Sequence, residues 1–369
     1  MRETVENWAG KPLKRLASFA NASTPWLKPG ANESYVTSGF VSYPSVRRIF
    51  GLILLLLCLA LIPLARAATF QEDFSANPQT SGWRVFGETN LFYWNSTNRN
   101  LEVTWDSSRS NSYFRRPLGT VLGKQDDFSL SFALLIKDIA IGVDPEKPYT
   151  FELAVGFHNS LNASQASFVR GTGSNSANLV EFNYFPDDGY GPTVWPAFVA
   201  TNGGWNYYPD CYTIFELPTN VWLDIAMNYQ AATRTLTTRV TGRDQPLGMT
   251  NVTILTASFK DYRVDMFSVT SYSGRNGGGS LLAHGVVDDI QLTVPDPPIR
   301  DFSVLPAAGQ WSARLHAATN WLFWLEGTTD FRSWQTVSAV AGGTGGEITL
   351  TPTNPAAPAR FFRVGAARP

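Results

Sequence analysis

Cysteine is nearly absent: the 369 residues contain two, Cys58 and Cys211. The first lies inside a long apolar run, so the rest of the chain has one thiol and no internal disulfide can brace it. Its fold must rest on a hydrophobic core. Histidine is as scarce. His158, His284 and His316 stand far apart, with no histidine or cysteine partner at ligand spacing, which leaves a zinc site without support. Only 16% of residues are charged and the formal net charge is -1. There is no basic excess of the kind a phosphate backbone requires, so nucleic acid is not an expected partner. No Gly-x-Ser-x-Gly elbow occurs, Cys211 has no basic neighbour in sequence, and Gly-rich Ser273 to Leu282 opens no phosphate cradle. A sustained helical period is missing throughout.

Aromatic and turn-forming residues are plentiful instead. Aromatics reach 13%, hydrophobic residues 44%, with 30 Gly and 23 Pro, a mixture that predicts many short strands joined by tight turns. Apolar residues recur at period two in Leu101 to Asp106, Phe128 to Ile136, Tyr149 to Phe157 and Met266 to Tyr272. Trp222 to Tyr229 and Thr235 to Thr241 read as a hairpin. The chain is expected to be all-β, with residues 69–294 forming a two-sheet jelly-roll sandwich whose facing sheets bury the aromatic rows. Trp105 and Trp222 are expected in that core.

Arg47 and Arg48 precede "IFGLILLLLCLALIPL", which ends in "ARA" at Ala65 to Ala67. That order of charge, apolar run and small residues predicts a secretory signal peptide over 46–68, cleaved near Ala68 or Thr69. The run of 16 residues contains Pro63 and is short for a bilayer span of roughly 20. A membrane contact is expected only through this segment if it stays uncleaved. Residues 1–45 read as disordered, or as lying upstream of the true start, with Val46 an alternative. The expected location is secreted, periplasmic or cell-surface, without lipidation at Cys58. Without residues 1–68 the chain is mildly acidic, which argues against anionic polymers as ligands.

"VPDPPIRD", Val294 to Asp301, cannot sit in a central strand and predicts a stiff linker at 295–300. Residues 301–369 then supply strands and Gly-rich turns enough for a small immunoglobulin-like β-sandwich. "FQEDFS" (Phe70 to Ser75) and "HGVVDDIQLTV" (His284 to Val294) together resemble the opening and closing of the concanavalin A-like lectin/glucanase superfamily, in which the first and last strands pair. The tail from "FWLEGTTDFRSWQTV" to "ARFFRV" is similar to a C-terminal module of many exported bacterial proteins. It implies a modular secreted protein.

The densest chemistry lies in "LVEFNYFPDDGYGPTVWPAF", Leu179 to Phe198. Laminarinase-like members of the superfamily use two glutamates flanking an aspartate on one strand. Here the matching positions are Glu181, Asn183 and Phe185, so hydrolysis at this strand is not expected. Legume-type lectins place a metal on a similar strand, which makes Glu181, Asn183, Asp187 and Asp188 candidate calcium ligands. The competing reading is that "PDDG" is a turn. Asp288 is a further candidate, because by period two it shares a face with Ile290 and Leu292, near Glu72, Asp73 and Asp289. The alternative there is an aspartate accepting backbone N–H groups.

Tyr190, Trp195, Trp205, Tyr207 and Tyr208 lie beside turn residues and have the apolar faces on which sugar rings stack, with core packing as the alternative. The leading functional expectation is a non-catalytic, lectin-like protein that binds a polysaccharide or glycan outside the cell, with calcium as its one candidate cofactor. A glycan-cleaving hydrolase or lyase of the same fold and a structural or adhesive surface protein are the alternatives.

Overall fold

The computed structural model describes residues 67–369, apart from 171–175, 188, 190, 206–211, 308–309 and 354–360. The expectations for residues 1–66, Asp188, Tyr190, Tyr207, Tyr208 and Cys211 lie outside the described residues. Among the described residues no helix is long and apolar enough to cross a membrane.

The chain is all-β. Its first strands are β1 (Ala67–Glu72), β2 (Arg84–Phe86), β3 (Phe92–Asn95), β4 (Asn100–Asp106) and β5 (Ser112–Leu122). Then come β6 (Phe128–Ile141), β7 (Leu153–His158), β8 (Leu179–Phe185), β9 (Thr193–Val199) and β10 (Thr213–Ile214). The hairpin pair β11 (Trp222–Gln230) and β12 (Thr235–Gly242) leads to β13 (Gly248–Ile254), β14 (Val264–Ser271) and the long β15 (Leu281–Pro295). Among the described residues one short α-helix, α1 (Ser160–Ala163), is capped by the Asn159 side chain.

Eight strands form one antiparallel sheet in the order β13-β12-β11-β6-β15-β4-β3, with β1 also on β15; seven form the other in the order β10-β9-β8-β7-β14-β5-β2. Runs of sequential strands, β13 to β11 and β10 to β7, are joined by pairings between distant ones, β6-β15-β4 and β7-β14-β5, as a jelly roll requires. First and last strands pair from Ala67 opposite Pro295 to Glu72 opposite Ile290. Between the sheets the aromatic rows interlock. Trp83 stacks on Phe114 with ring centroids 4.7 Å apart, Phe132 meets Phe182 edge-on, and Phe157 meets Phe128 in the same way. Each large apolar side chain so buried contributes roughly 1.5–3 kcal/mol relative to exposure.

Three expectations are corrected. The strand expected from Tyr149 starts only at Leu153, because Tyr149 hydrogen-bonds the loop at Gly278 and Ser280 rather than a sheet neighbour. Trp105 is buried, but Trp222 is not a core residue. Strand β11 sends Leu223, Ile225, Met227 and Tyr229 inward, so Trp222 takes the outer side, its ring 5.4 Å from the Arg243 guanidinium. Nor does Asp288 face the core. A bulge shifts the register between Asp288 and Gln291, with Asp289 at φ 49, so that Val287 and Ile290 both point inward and Asp288 stays half-buried between them.

After β15 come β16 (Ile299–Ala307), β17 (Gln310–Ala317), β18 (Leu322–Thr328), β19 (Gln335–Thr336), β20 (Ala341–Gly342), β21 (Glu347–Leu350) and β22 (Phe361–Ala367). Strands β16, β17 and β21 make one small sheet, and β18 pairs with β19, β20 and β22 in another. A separate core of Ala313, Leu315, Ala317, Trp321, Phe323, Leu325 and Leu350 lies between them. The chain then returns to the large sandwich. Arg368 is paired with Asp126 at 2.6 Å, donates to the Val121 carbonyl at 2.9 Å, and lies over the Trp321 ring.

Candidate functional site

Alternation decides which side chains leave the core. On β8, Phe182 packs inward against Phe132, so Glu181 and Asn183 take the outer face of the seven-stranded sheet. Across the sheet Glu181 is flanked by Gly156 on β7 and Ala197 on β9. Both neighbours are small for a reason. A side chain at Gly156 would come within 2.6 Å of the Glu181 Cα, and the room left admits a guanidinium from above.

That guanidinium belongs to Arg170, on the segment that follows α1. Its Nε lies 3.2 Å from Glu181 and 3.3 Å from Glu152, and all three side chains are at most 5% exposed. The Tyr272 hydroxyl donates to the other Glu181 oxygen. The covering segment is itself fastened. Asp265 accepts the Ser160 N–H and hydroxyl at 2.7 Å, Asn111 donates to the Phe168 carbonyl, and Tyr113 donates to the Ala163 carbonyl.

The electrostatics follow from burial. Loss of hydration pushes Glu181 up to about 7, although Arg170 and the Tyr272 hydroxyl pull the other way. Glu152 is raised by the same cause. Burial would favour neutral Arg170, but the two carboxylates outweigh it and hold the guanidinium above its ordinary value. Burial and then Arg115 push His158 down to about 3, so it is a neutral core histidine, its Nδ1 2.9 Å from Ser268 Oγ.

Above the triad stand the aromatics. Trp205 lies over Arg170, 4.6 Å from guanidinium to ring, and half-buried Trp195 is 5.9 Å from it. Trp195 in turn meets Phe185 at 6.2 Å and Tyr212 at 6.4 Å, and Tyr212 is 50% exposed. The structure therefore brings Glu181, Trp195 and Trp205 together through Arg170.

It does not bring the expected metal ligands together. Both Glu181 oxygens are already held, one by the Arg170 guanidinium and the other by the Tyr272 hydroxyl. Asn183 is fully buried, between Ala154 on β7 and Trp195 on β9. Asp187 is exposed and accepts the Gly189 N–H at 2.9 Å, which is turn chemistry. Asp288 accepts the Asp289 N–H at 2.8 Å, Asp289 pairs with Arg243, and Glu72 is held by Phe74, Ser81 and Trp83. Among the described residues no three His, Cys, Asp or Glu side chains gather as a metal site.

Arg170, Glu152, Tyr272 and Tyr212 escaped the sequence reading. Their signals were faint. Glu152 is a lone charge in an apolar strand pattern, and Arg170 a lone base in "FVRG". A separate shallow groove of about 390 Å³ lies on the eight-stranded sheet, lined by Tyr93, Glu102, Lys137, Asp138 and His284. Its ion pairs are exposed and contribute little.

No family model and no curated protein matches the chain. Among solved structures it is similar to peanut lectin with a 9-mer peptide, at 15% identity and TM-score 0.41, over 62% of this chain and 99% of the lectin. Lectin I of Ulex europaeus, in complex with the methyl glycoside of α-L-fucose, gives 12% and 0.40 over 62% and 98%. Winged bean acidic lectin, complexed with methyl-α-D-galactose, gives 13% and 0.38 over 62% and 99%. Likeness this distant identifies no ligand for the present chain.

Proposed function

We propose that the chain is an exported, lectin-like protein that holds an extracellular or cell-surface glycan against Trp195, Trp205 and Tyr212 without cleaving it. One observation carries the reading: the Trp205 ring rests on a guanidinium that two buried carboxylates hold fixed. Rigid, half-exposed indoles offer flat apolar faces for the C–H side of a sugar, at little cost in conformational entropy. Tyr190, Tyr207 and Tyr208 belong to the same stretch and would widen that face. The buried triad has a supporting role in this scheme, since a general acid must reach the scissile bond and these carboxylates do not reach solvent. Export rests on the order of Arg47 and Arg48, the apolar run and the small residues Ala65 and Ala67. Calcium would enter through the carboxylates around Asp187 or Asp288, and equal melting temperatures in calcium and in chelator would remove it.

The test is a glycan array probed with residues 68–369 and with Tyr212→Ala and Trp205→Ala. The expected result is binding by the parent, at least about tenfold weaker binding by both variants, and no release of reducing ends. Parent-like binding by both variants would overturn the reading. A second reading, glycan cleavage, draws on a carboxyl raised to about 7 that shares a guanidinium with another carboxylate. Reducing-end release that disappears in Glu181→Gln would establish it instead.

A further inference from the structure

The small sandwich carries a second aromatic surface, on the side away from its core. In β18, Phe323 and Leu325 point inward, so Trp324, Glu326 and Thr328 point out. Opposite them on β22 stand Gly365, Arg363 and Phe361. A side chain at Gly365 would come within 2.5 Å of the Trp324 ring, so this glycine is what lets the indole lie flat across the strand pair. Trp334 packs on the Arg363 guanidinium at 4.2 Å, and Phe331 packs on Phe361 with ring centroids 4.0 Å apart.

Two features set this strip apart from incidental exposure. Phe331 is 60% exposed and Phe361 41% exposed, in a module whose core fully buries only the aromatics Trp321 and Phe323. Phe331 also holds a left-handed backbone, φ 60, which a bulky residue rarely adopts, in a turn fixed by the Thr328 hydroxyl and the Asp330 carboxylate. The turn therefore displays its ring at a conformational cost.

The polar groups between the rings limit what can bind. Glu326 accepts the Trp324 indole N–H at 3.0 Å and pairs with Arg363 at 2.6 Å. The two charges offset each other, so this pair brings no net charge to the strip. Arg363 is about half exposed and keeps free N–H donors beside the Glu326 acceptor, a donor and an acceptor side by side, as neighbouring hydroxyls require. From Trp324 to Thr328 opposite Phe361 the strip runs about 14 Å along the strands, longer than one sugar ring. We propose that this face binds an uncharged polysaccharide chain, its ring faces on Trp324, Trp334, Phe331 and Phe361 and its hydroxyls on Glu326 and Arg363. The site shares no residue with the one on the large sandwich.

Affinity electrophoresis of residues 68–369 through gels containing a β-glucan, a mannan or a xylan tests this, with polygalacturonate as the charged control. Trp205→Ala isolates the new face from the first. The expected result is that at least one neutral polysaccharide retards the parent and Trp205→Ala, whereas Trp334→Ala and Phe331→Gly bind about tenfold more weakly. Phe331→Gly removes the ring and relieves the left-handed strain, so its melting temperature should stay within about 2 °C of the parent and it carries the test should Trp334→Ala unfold. Three outcomes overturn the proposal: parent-like retardation of Phe331→Gly, failure of every neutral polysaccharide to retard Trp205→Ala, or retardation by polygalacturonate alone. A dimer in sedimentation that Phe331→Gly dissolves would assign the face to a second copy of the chain and overturn it too.

Discussion

The outer faces of the two large sheets are made of different material. On the eight-stranded sheet Asn228, Thr237, Arg239 and Thr241 face water, and the strands alternate plainly between apolar and polar. On the seven-stranded sheet the corresponding side holds Tyr113, His158, Glu181 and Asn183, all fully buried. An antiparallel sheet with one wet face needs alternation, and one covered on both faces does not. The difference comes from the segment of α1 and Arg170, which roofs the second sheet and turns its outer side chains into a second interior. Charge then has different consequences on the two faces. Buried beneath the roof it must be paired, and in water it is nearly free of structural effect.

Removing the central cation should produce the largest contrast. Arg170→Ala leaves two carboxylates buried without a counter-charge and is expected to cost about 3–5 kcal/mol in urea denaturation, while Arg239→Ala should stay within about 0.5 kcal/mol. Equal losses would mean that the roof is no interior at all. Tryptophan gives a parallel pair. Trp105→Ala should cost about 3–5 kcal/mol as a buried ring, and Trp222→Ala, on the wet face, less than about 1 kcal/mol.

Proton linkage sharpens the comparison at a finer scale. The folded-state pKa of Glu181 is raised to about 7, above its ordinary value of 4.5, so the native state binds the proton more tightly than the unfolded chain. Its contribution is fully present below about pH 4.5 and is lost as pH rises through about 7. Melting temperature should therefore fall across that window more steeply for the parent than for Glu181→Gln, and identical slopes would place the carboxyl in contact with water. Asp288, at the bulge on the wet side, is raised to about 6, first by desolvation and then by Asp289 and Asp73, with the same sign. Because it is half exposed, the effect is discounted for screening. At pH 7 Asp288→Asn should be more stable by at most about 1 kcal/mol, or about 2 °C, a gain that vanishes near pH 4.

The same contrast explains what could be read in the sequence. Leu101 to Asp106, Trp222 to Tyr229 and Thr235 to Thr241 belong to the half-wet sheet, and period two places them within a residue of β4, β11 and β12. In β8 every residue from Leu179 to Tyr184 is buried, so alternation says nothing about what lies over Glu181. Its partners are Arg170 and Tyr272, 11 and 91 residues away, and Arg170's second carboxylate, Glu152, comes from just before another strand. Nothing local announces such a meeting. Asp288 was misplaced for a different reason, because one extra residue in a bulge reverses parity and the sequence carries no mark of it. Trp222 was placed in the core because it stands on a strand, although that strand's own pattern already set Leu223 inside.

Arg368 changes what the proline linker means. With only Pro295 to Pro298 joining them, the two sandwiches would be beads on a short stiff string, each free to turn. The Arg368 side chain is 8% exposed where it meets Asp126, and Arg263 reaches the Pro369 carbonyl, so the last strand is bolted back onto the first bead. A module fastened at both ends turns less freely than one held by a linker alone. Two binding surfaces on the two sandwiches would then keep a narrow range of separations, and a ligand long enough to touch both would gain avidity with less entropic loss, while one of the wrong pitch would gain nothing. Length selection of this kind needs no additional contact, only a clamp.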